Sequence, residues 1–190
     1  PALSEGRRLP LLLADLARGP HGLQVIVIDG GSQDQTTAVA DLAGVKTLTS
    51  PERGRGQQLI HGMAAVRHEW TLVLHADSRL PHRWCSAVQQ ATDLPHAASD
   101  AWYFDFRVEA RGPMLWLLER CVALRSGLGQ RPYGDQGLLI HRKLYTASGG
   151  YRPIPLMEDL DLVERIARTH RLRRLGCALV ASNRRWQEQG

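Results

Sequence analysis

A short apolar run leads straight into an acidic turn in the segment Thr71-Leu72-Val73-Leu74-His75-Ala76-Asp77-Ser78-Arg79-Leu80-Pro81. The run carries no charge and is stopped by polar residues, which predicts a buried strand. Open α/β sheets bind ligands beyond the carboxyl ends of their parallel strands, so Asp77 is the first candidate functional residue. Its carboxylate suits Mg²⁺ or Mn²⁺, and such an ion would also hold a diphosphate. The alternative is that Asp77 only caps a helix beginning near Pro81.

A second strand followed by an acidic turn lies upstream. The run Leu23–Ile28 predicts a strand, and it ends in Asp29-Gly30-Gly31-Ser32-Gln33-Asp34-Gln35-Thr36. The two glycines permit a tight turn and close approach of a ligand to the backbone. Asp29 has two interpretations: it accepts hydrogen bonds from a nucleotide base or ribose, or it stabilises the turn through its own backbone.

Two further charged segments complete the candidate site. Arg55 lies between glycines in Arg53-Gly54-Arg55-Gly56, where a guanidinium has room to contact a phosphate; the alternative is a flexible basic loop. Glu158 and Asp159 begin a predicted helix that continues through Leu160 and Ile166. They complement the helix dipole, or one of them is a general base that faces the ligand.

Composition narrows the class of protein. The 190 residues fit one domain, and they carry a net charge of +5. Only two lysines are present and the arginines are spread along the chain, without a nucleic-acid-binding motif, so we expect no nucleic-acid partner. The three cysteines are far apart and match no metal spacing, which is typical of a reducing compartment.

The apolar segments predict a cytoplasmic protein. No stretch reaches the length of a membrane span, and no signal peptide is evident. The helix predicted over 113–124 is apolar, and we expect it to be buried; the alternative is that it rests on a partner or on the inner face of a membrane. The aromatic strand around Trp102 and Phe106 is expected to be core rather than a sugar-binding face.

Taken together, these segments resemble the family 2 glycosyltransferases of the GT-A fold. Ile26-Val27-Ile28-Asp29-Gly30-Gly31 looks like their nucleotide-binding strand and turn, Leu74-His75-Ala76-Asp77 like their D-x-D region, and Met157-Glu158-Asp159 like their E-D motif. Four segments are similar to a bacterial subgroup, the rSAM/selenodomain-associated transferases 2: His75–Pro81, Tyr133–Gly137, Pro155–Asp159 and Arg184-Arg185-Trp186.

The resemblance implies an α/β, Rossmann-like, mostly parallel sheet flanked by helices. It implies one domain over 1–190, with a nucleotide-binding half over about 1–81 and an acceptor-side half over about 82–190. It also implies a strand before Pro1 and a continuation after Trp186.

The resemblance also assigns roles by position. Asp159 would be the general base with Glu158 beside it, and Asp77 would bind Mg²⁺ or Mn²⁺. The donor and acceptor contacts would come from Asp29, Gly31, Ser32, Arg55, Asp135, Gln136 and Arg185. His75 stands where the first Asp of D-x-D is expected, so metal ligation depends on one carboxylate.

The predicted activity is transfer of a sugar from a nucleoside-diphosphate sugar to an acceptor hydroxyl, metal-assisted and with inversion. The acceptor is a small or lipid-like molecule, which leaves peripheral membrane contact open. A nucleotidyltransferase or pyrophosphorylase on a related sheet is the alternative. A basic binding module without catalysis is a third hypothesis, which a steep salt dependence of oligonucleotide binding would favour.

Overall fold

The structure is a computed structural model that describes residues 1–109 and 112–181. Six strands alternate with helices along the chain, as the sequence predicts for an α/β protein. The strands are β1 (Ile26–Asp29), β2 (Lys46–Thr49), β3 (Trp70–Val73), β4 (Ala101–Val108), β5 (Leu138–His141) and β6 (Leu172–Ala181). The helices are α1 (Leu9–Leu16), α2 (Thr36–Leu42), α3 (Arg55–Ala64), α4 (Trp84–Thr92), α5 (Pro113–Leu128), α6 (Arg142–Ala147) and α7 (Glu158–Ala167).

The strands form two sheets. In the first, β1 pairs with β2 in parallel. The second has the order β3-β5-β4-β6, in which β4 and β6 are parallel while β5 is antiparallel to both β3 and β4. The sequence predicts that β3 is a parallel strand. Among the described residues, however, β3 pairs with β5 alone, and that pairing is antiparallel.

Alternating side chains of the second sheet build a core on each face. On β4, Trp102 and Phe104 join the cluster that contains α4, whereas Ala101 and Tyr103 join the cluster that contains α7. This is the period-two alternation of a strand buried on both faces. The aromatic residues of β4 are thus core, as expected, with Phe104 fully buried.

An apolar groove of about 530 Å³ lies between the two sheets. Residues of β1 and β3 line it, together with side chains of α1 such as Leu12. Ala2 runs parallel to the end of β1, where its N–H donates to Ile28 O at 2.8 Å and its carbonyl accepts from Gly30 N at 2.9 Å. The strand expected before Pro1 stays a prediction.

The long helix α5 is exposed, which contradicts the expectation of burial. Val122 and Ser126 are its buried residues, while Met114, Trp116 and Leu117 are more than half exposed. Its apolar residues are distributed around the helix rather than along one stripe, so contact with β4 covers only some of them. No helix of the described residues is both long and apolar enough to cross a membrane.

Candidate functional site

Three separate elements bring four charged or titratable side chains together. Arg55 is the first residue of α3, His75 lies two residues beyond β3, and Glu158 and Asp159 open α7. Arg55 Nε lies 2.7 Å from Glu158 Oε1, and Arg55 Nη2 contacts both the Asp159 carboxylate and the His75 imidazole. We call these four residues the acid–arginine cluster.

The start of α7 explains why both acids face Arg55. Met157 adopts a left-handed conformation with φ of 64°, which turns the chain sharply into the helix. The helix N-terminus favours negative charge, yet no side chain caps it by a hydrogen bond. Glu158 is buried, so its charge needs the partner that Arg55 supplies. The acids therefore do more than complement the helix dipole.

Gly134 leaves space for the acid–arginine cluster. A Cβ atom at this position would collide with the Asp159 carboxylate and with Arg55 Nη2. The motif Tyr133–Gly137 predicts sugar contacts by Asp135 and Gln136, and it does not predict a role for Gly134. The signal was present in the sequence, because glycine is the residue that permits such close approach.

The cluster sets the ionisation of Asp159. Burial acts to raise the pKa of the Asp159 carboxyl, but the neighbouring His75 and Arg55 outweigh burial and lower it below its usual value. His75 Nε2 lies 3.8 Å from Asp159 Oδ2, which is too long for a direct hydrogen bond, so its effect is that of a nearby dipole or charge. Asp159 is consequently an ionised carboxylate at neutral pH, as a general base must be.

Asp29 is held by its own turn. Its Oδ2 accepts hydrogen bonds from Gly31 N at 2.9 Å and Ser32 N at 3.0 Å, and its Oδ1 accepts from Ser32 Oγ at 2.5 Å. Gly31 has φ of 92°, a conformation that favours glycine. The turn-stabilising interpretation of Asp29 is therefore realised, and contact with a base or ribose stays a prediction.

The same turn is joined to the start of the chain. Ser4 N donates to Ser32 Oγ at 2.9 Å, and Gly6 N donates to Asp34 Oδ2 at 2.9 Å. Hydrogen bonds from Thr36 and Gly6 lower the pKa of the exposed Asp34 carboxyl. These contacts give the glycine turn one conformation before any ligand arrives.

Asp77 is half-buried in the turn after β3, and no hydrogen bond or ion pair engages its carboxylate among the described residues. Within residues 1–109 and 112–181, no three or more His, Cys, Asp or Glu side chains are grouped so that they could hold a metal ion. His75 is directed instead to Arg55 and Asp159. This donor set fits an ion such as Mg²⁺ that takes one protein carboxylate and completes its shell with substrate phosphates and water.

Asp15 is a residue that sequence reasoning missed. It is fully buried at the end of α1, where it accepts hydrogen bonds from Leu80 N at 2.9 Å and Arg79 Nε at 2.7 Å. Burial acts to raise the pKa of the Asp15 carboxyl, but the bonds from Arg79, Arg18 and Leu80 outweigh it and lower the pKa. Asp15 thereby fixes the loop that follows Asp77.

Gln136 is bonded within the fold, and its predicted contact with a sugar stays a prediction. It is buried, its Oε1 accepts from Ser126 Oγ at 2.7 Å, and its Nε2 donates to Phe104 O at 3.1 Å. With both ends of the amide engaged, the side chain joins α5 to β4. Asp135 lies beside Gly134 in the adjoining 3-10 turn, and Arg185 lies outside the described residues.

The sequence matches the model of a known family. The family is described as glycosyl transferase family 2, and the match covers residues 1–149. A curated relative, an uncharacterized glycosyltransferase of Mycobacterium tuberculosis, is 31% identical over 80 residues, or 42% of this chain. That match spans only 35% of the relative's length, about a third of it.

Solved structures share the fold. A mannosyltransferase from Pyrobaculum calidifontis, in complex with GDP-Man and Mn²⁺, has a TM-score of 0.73 at 18% identity, over 95% of this chain and 54% of that one. Glucosyl-3-phosphoglycerate synthase from M. tuberculosis, in complex with Mn²⁺, UDP-Glc and phosphoglyceric acid, has a TM-score of 0.70 at 23% identity, over 100% of this chain and 72% of that one. At these identities the likeness establishes the GT-A fold alone.

Proposed function

The chain belongs to glycosyl transferase family 2, and from that premise we propose that it moves a sugar from a nucleoside-diphosphate sugar to an acceptor hydroxyl. The observation that carries the proposal is the acid–arginine cluster, which holds an ionised Asp159 at the start of α7. The solved neighbours add support, because their described complexes contain GDP-Man or UDP-Glc as the sugar donor.

Asp159 is the general base in this proposal. It takes the proton of the acceptor hydroxyl while that oxygen forms a bond to the anomeric carbon and the nucleoside diphosphate leaves. Glu158 has a different part, because it is more deeply buried and its charge is offset by Arg55 Nε. With one base, and no second carboxylate assigned as a nucleophile among residues 1–109 and 112–181, we propose a direct displacement that inverts the anomeric configuration. A product that retains the donor's configuration would contradict this step.

The donor site lies around the glycine turn and the start of α3. Asp29 fixes the turn, and the open backbone at Gly31 lets a base or ribose approach, because a Cβ there would meet nothing within 4 Å. Ser32 and Asp135 complete the donor and acceptor contacts. Arg55 is one-third exposed, so part of its guanidinium is accessible to a diphosphate although two acids already pair with it.

Asp77 would hold the divalent cation in this proposal. The chemistry that Mg²⁺ or Mn²⁺ would supply there is neutralisation of negative charge on the leaving diphosphate. The chain's own contribution is the Asp77 carboxylate, which no residue of the described part of the chain engages, in a loop that Asp15 fixes. Mn²⁺ is present in the described complexes of both solved neighbours.

The exposed apolar surface of α5 is our candidate for contact with an anionic membrane. Met114, Trp116 and Leu117 are exposed, and the Arg120 guanidinium lies 5.1 Å from the Trp116 ring. Exposed tryptophan and leucine with a neighbouring arginine are side chains that favour a membrane interface, although the apolar residues of α5 form no single stripe. The proposal therefore includes contact with the inner face of a membrane and a lipid-like acceptor.

Vesicle flotation tests the membrane contact. We expect binding to vesicles that contain phosphatidylserine, weaker binding to pure phosphatidylcholine, and loss of binding in Trp116→Ser. The matched control is Leu42→Ser, which removes an exposed apolar side chain from α2. Trp70 is not suitable as a control, because it lines the apolar groove. Equal flotation of wild type and Trp116→Ser would contradict the assignment.

The leaving group distinguishes glycosyl transfer from the nucleotidyltransferase alternative. With UDP-glucose or GDP-mannose as donor and Mn²⁺ present, we expect release of UDP or GDP as the sugar is transferred. With a nucleoside triphosphate and a sugar phosphate, we expect no pyrophosphate. Pyrophosphate release without nucleoside-diphosphate release would favour the alternative.

A further inference from the structure

Tyr151 carries a buried hydroxyl beside the acid–arginine cluster. The residue is 5% exposed, and the hydroxyl has no hydrogen-bond partner within residues 1–109 and 112–181. Burying a hydroxyl without a partner is unfavourable, and phenylalanine would fill the same space without that cost. A hydroxyl at this position therefore indicates a partner other than residues 1–109 and 112–181, and a bound ligand is the candidate.

The surrounding residues hold the Tyr151 ring firmly. Its backbone N–H donates to Tyr145 Oη at 3.1 Å, and the two ring centroids are 5.7 Å apart. A Cβ at the preceding Gly150 would collide with the Tyr145 ring, so the turn that delivers Tyr151 depends on glycine. Tyr151 also packs in the apolar cluster with Val163 and Ile166 of α7. The ring is thus fixed before a ligand binds.

A small pocket connects Tyr151 with the proposed base. Tyr151, Asp159, His75, Tyr133 and Gly134 all line it, and its volume of about 10 Å³ is close to that of one water molecule or one hydroxyl group. Burial, followed by the nearby charge of Asp159, raises the pKa of the Tyr151 phenol well above its usual value. Tyr151 therefore keeps its proton and acts as a hydrogen-bond donor.

We propose that Tyr151 binds the acceptor, with its hydroxyl donating a hydrogen bond to the same acceptor oxygen that gives its proton to Asp159. The acceptor oxygen then donates to one residue and accepts from the other, which orients its remaining lone pair for attack on the anomeric carbon. As the proton moves to Asp159, the Tyr151 hydrogen bond stabilises the charge that develops on the oxygen. This assignment rests on the proposed glycosyl transfer.

The test compares Tyr151→Phe with Tyr145→Phe as the matched control. Thermal unfolding of the unliganded proteins is measured first. We expect Tyr151→Phe to unfold at the wild-type temperature or above it, because it removes a hydroxyl without a partner. Tyr145→Phe should unfold at a lower temperature, because it removes the acceptor of the Tyr151 N–H bond.

Transfer is measured next with UDP-glucose or GDP-mannose as donor, Mn²⁺, and glycerol, 3-phosphoglycerate or water as acceptor probes. We expect Tyr151→Phe to lower kcat/KM for the acceptor about tenfold, the effect of one hydrogen bond, while the stabilisation by UDP or GDP is unchanged. Tyr145→Phe keeps the Tyr151 hydroxyl and removes one bond that positions it, so it should lower kcat/KM less than Tyr151→Phe at a temperature where it is folded.

Three results would overturn the assignment. A lower unfolding temperature of Tyr151→Phe would show that the hydroxyl has a structural partner. Wild-type transfer rates in a folded Tyr151→Phe would reject acceptor binding by Tyr151 and leave glycosyl transfer intact. A wild-type protein that transfers sugar to none of the probes and is stabilised by no nucleotide would reject the proposed function, and the Tyr151 assignment with it.

Discussion

Asp29 and Asp159 are both acids at the junction between a turn and a regular element, but the protein holds them in opposite ways. Asp29 is bonded by Gly31 and Ser32, within three residues of itself. Asp159 is held by Arg55, which is 104 residues away, and by His75 from a third element. The local acid can shape its turn as soon as the chain is made, whereas the distant acid meets the partners that lower its pKa only in the folded protein.

This difference distinguishes a carboxylate held by its own turn from the one that we propose as the base. The hydrogen bonds of Asp29 occupy its two oxygens and define the glycine turn. The partners of Asp159 hold its charge but leave it on the wall of a pocket that we propose for the acceptor hydroxyl. We therefore expect substitution of Asp159 to act on the reaction and substitution of Asp29 to act first on stability.

The largest expected effect is that of Asp159→Asn. Asparagine keeps the size of the side chain but does not take a proton, so transfer to the acceptor should fall about a thousandfold, which is typical of removing a general base. The measurement is the rate of nucleoside-diphosphate release with a saturating acceptor. Asp161→Asn, in the same turn of α7, is the control and should keep most of the activity, because Asp161 pairs with Arg165 outside the pocket. Similar losses in both variants would contradict the role of Asp159.

Asp29→Asn should have a smaller effect, and on a different quantity. The amide loses the charge and one of the two acceptor atoms, so the free energy of unfolding should decrease by about 2 kcal/mol. Chemical denaturation measures this value. Asp41→Asn, an exposed acid on the following helix, should change it by less than about 0.5 kcal/mol. An unchanged stability of Asp29→Asn would mean that the turn does not depend on its carboxylate.

His75→Gln should give the smallest effect, a displacement of the pH profile. The active form of Asp159 is ionised, and His75 helps to lower its pKa, so activity persists to lower pH with the imidazole present. Without it the pKa of Asp159 rises, and the acidic limb of kcat/KM moves to higher pH. The exposed His82 is the control, and His82→Gln should leave the limb in place.

The same shift has a consequence for stability. A carboxyl whose pKa is lower in the folded protein stabilises it above the pKa of the unfolded chain, about 3.9, and this contribution is lost as the pH falls through the folded value. His75→Gln should therefore lose less stability than wild type when both are acidified. If His75→Gln has the same acidic limb of kcat/KM as wild type and loses the same stability on acidification, then His75 does not act on Asp159.

The parts of the fold that follow from local pattern were predictable. The apolar runs before Asp29 and Asp77 gave strands β1 and β3, and the glycines after Asp29 gave the turn, because these features depend on neighbours in sequence. The short helix α6 was missed, since its six residues follow β5 directly and Lys143 N is bonded by the His141 ring. The exposure of α5 also could not be read from its composition, which fits a buried helix equally well.

The candidate site was predictable as a set of residues but not as a set of contacts. Asp159 and Arg55 were identified separately, and nothing local to either residue indicates that they form an ion pair. The hydrogen bonds of the Gln136 amide could not be predicted either, because its partners Ser126 and Phe104 come from other segments of the chain. Nothing in the sequence singles out Tyr151, since only the packed structure shows that the residue lines the pocket and that its buried hydroxyl has no partner among the described residues.

The most direct test of the account is thermal unfolding with UDP, GDP, CDP, ADP and dTDP, each with and without Mn²⁺, on the wild-type protein and on Asp77→Ala. We expect one diphosphate to stabilise the wild type by about 2.7 kcal/mol at 100 times its dissociation constant, to require Mn²⁺, and to lose this effect in Asp77→Ala. Asp93→Ala, at an exposed acid that directly follows α4, should respond like wild type. If no diphosphate stabilises the protein, or if Asp77→Ala is stabilised as strongly as wild type, then the metal-assisted donor site that we assign is wrong.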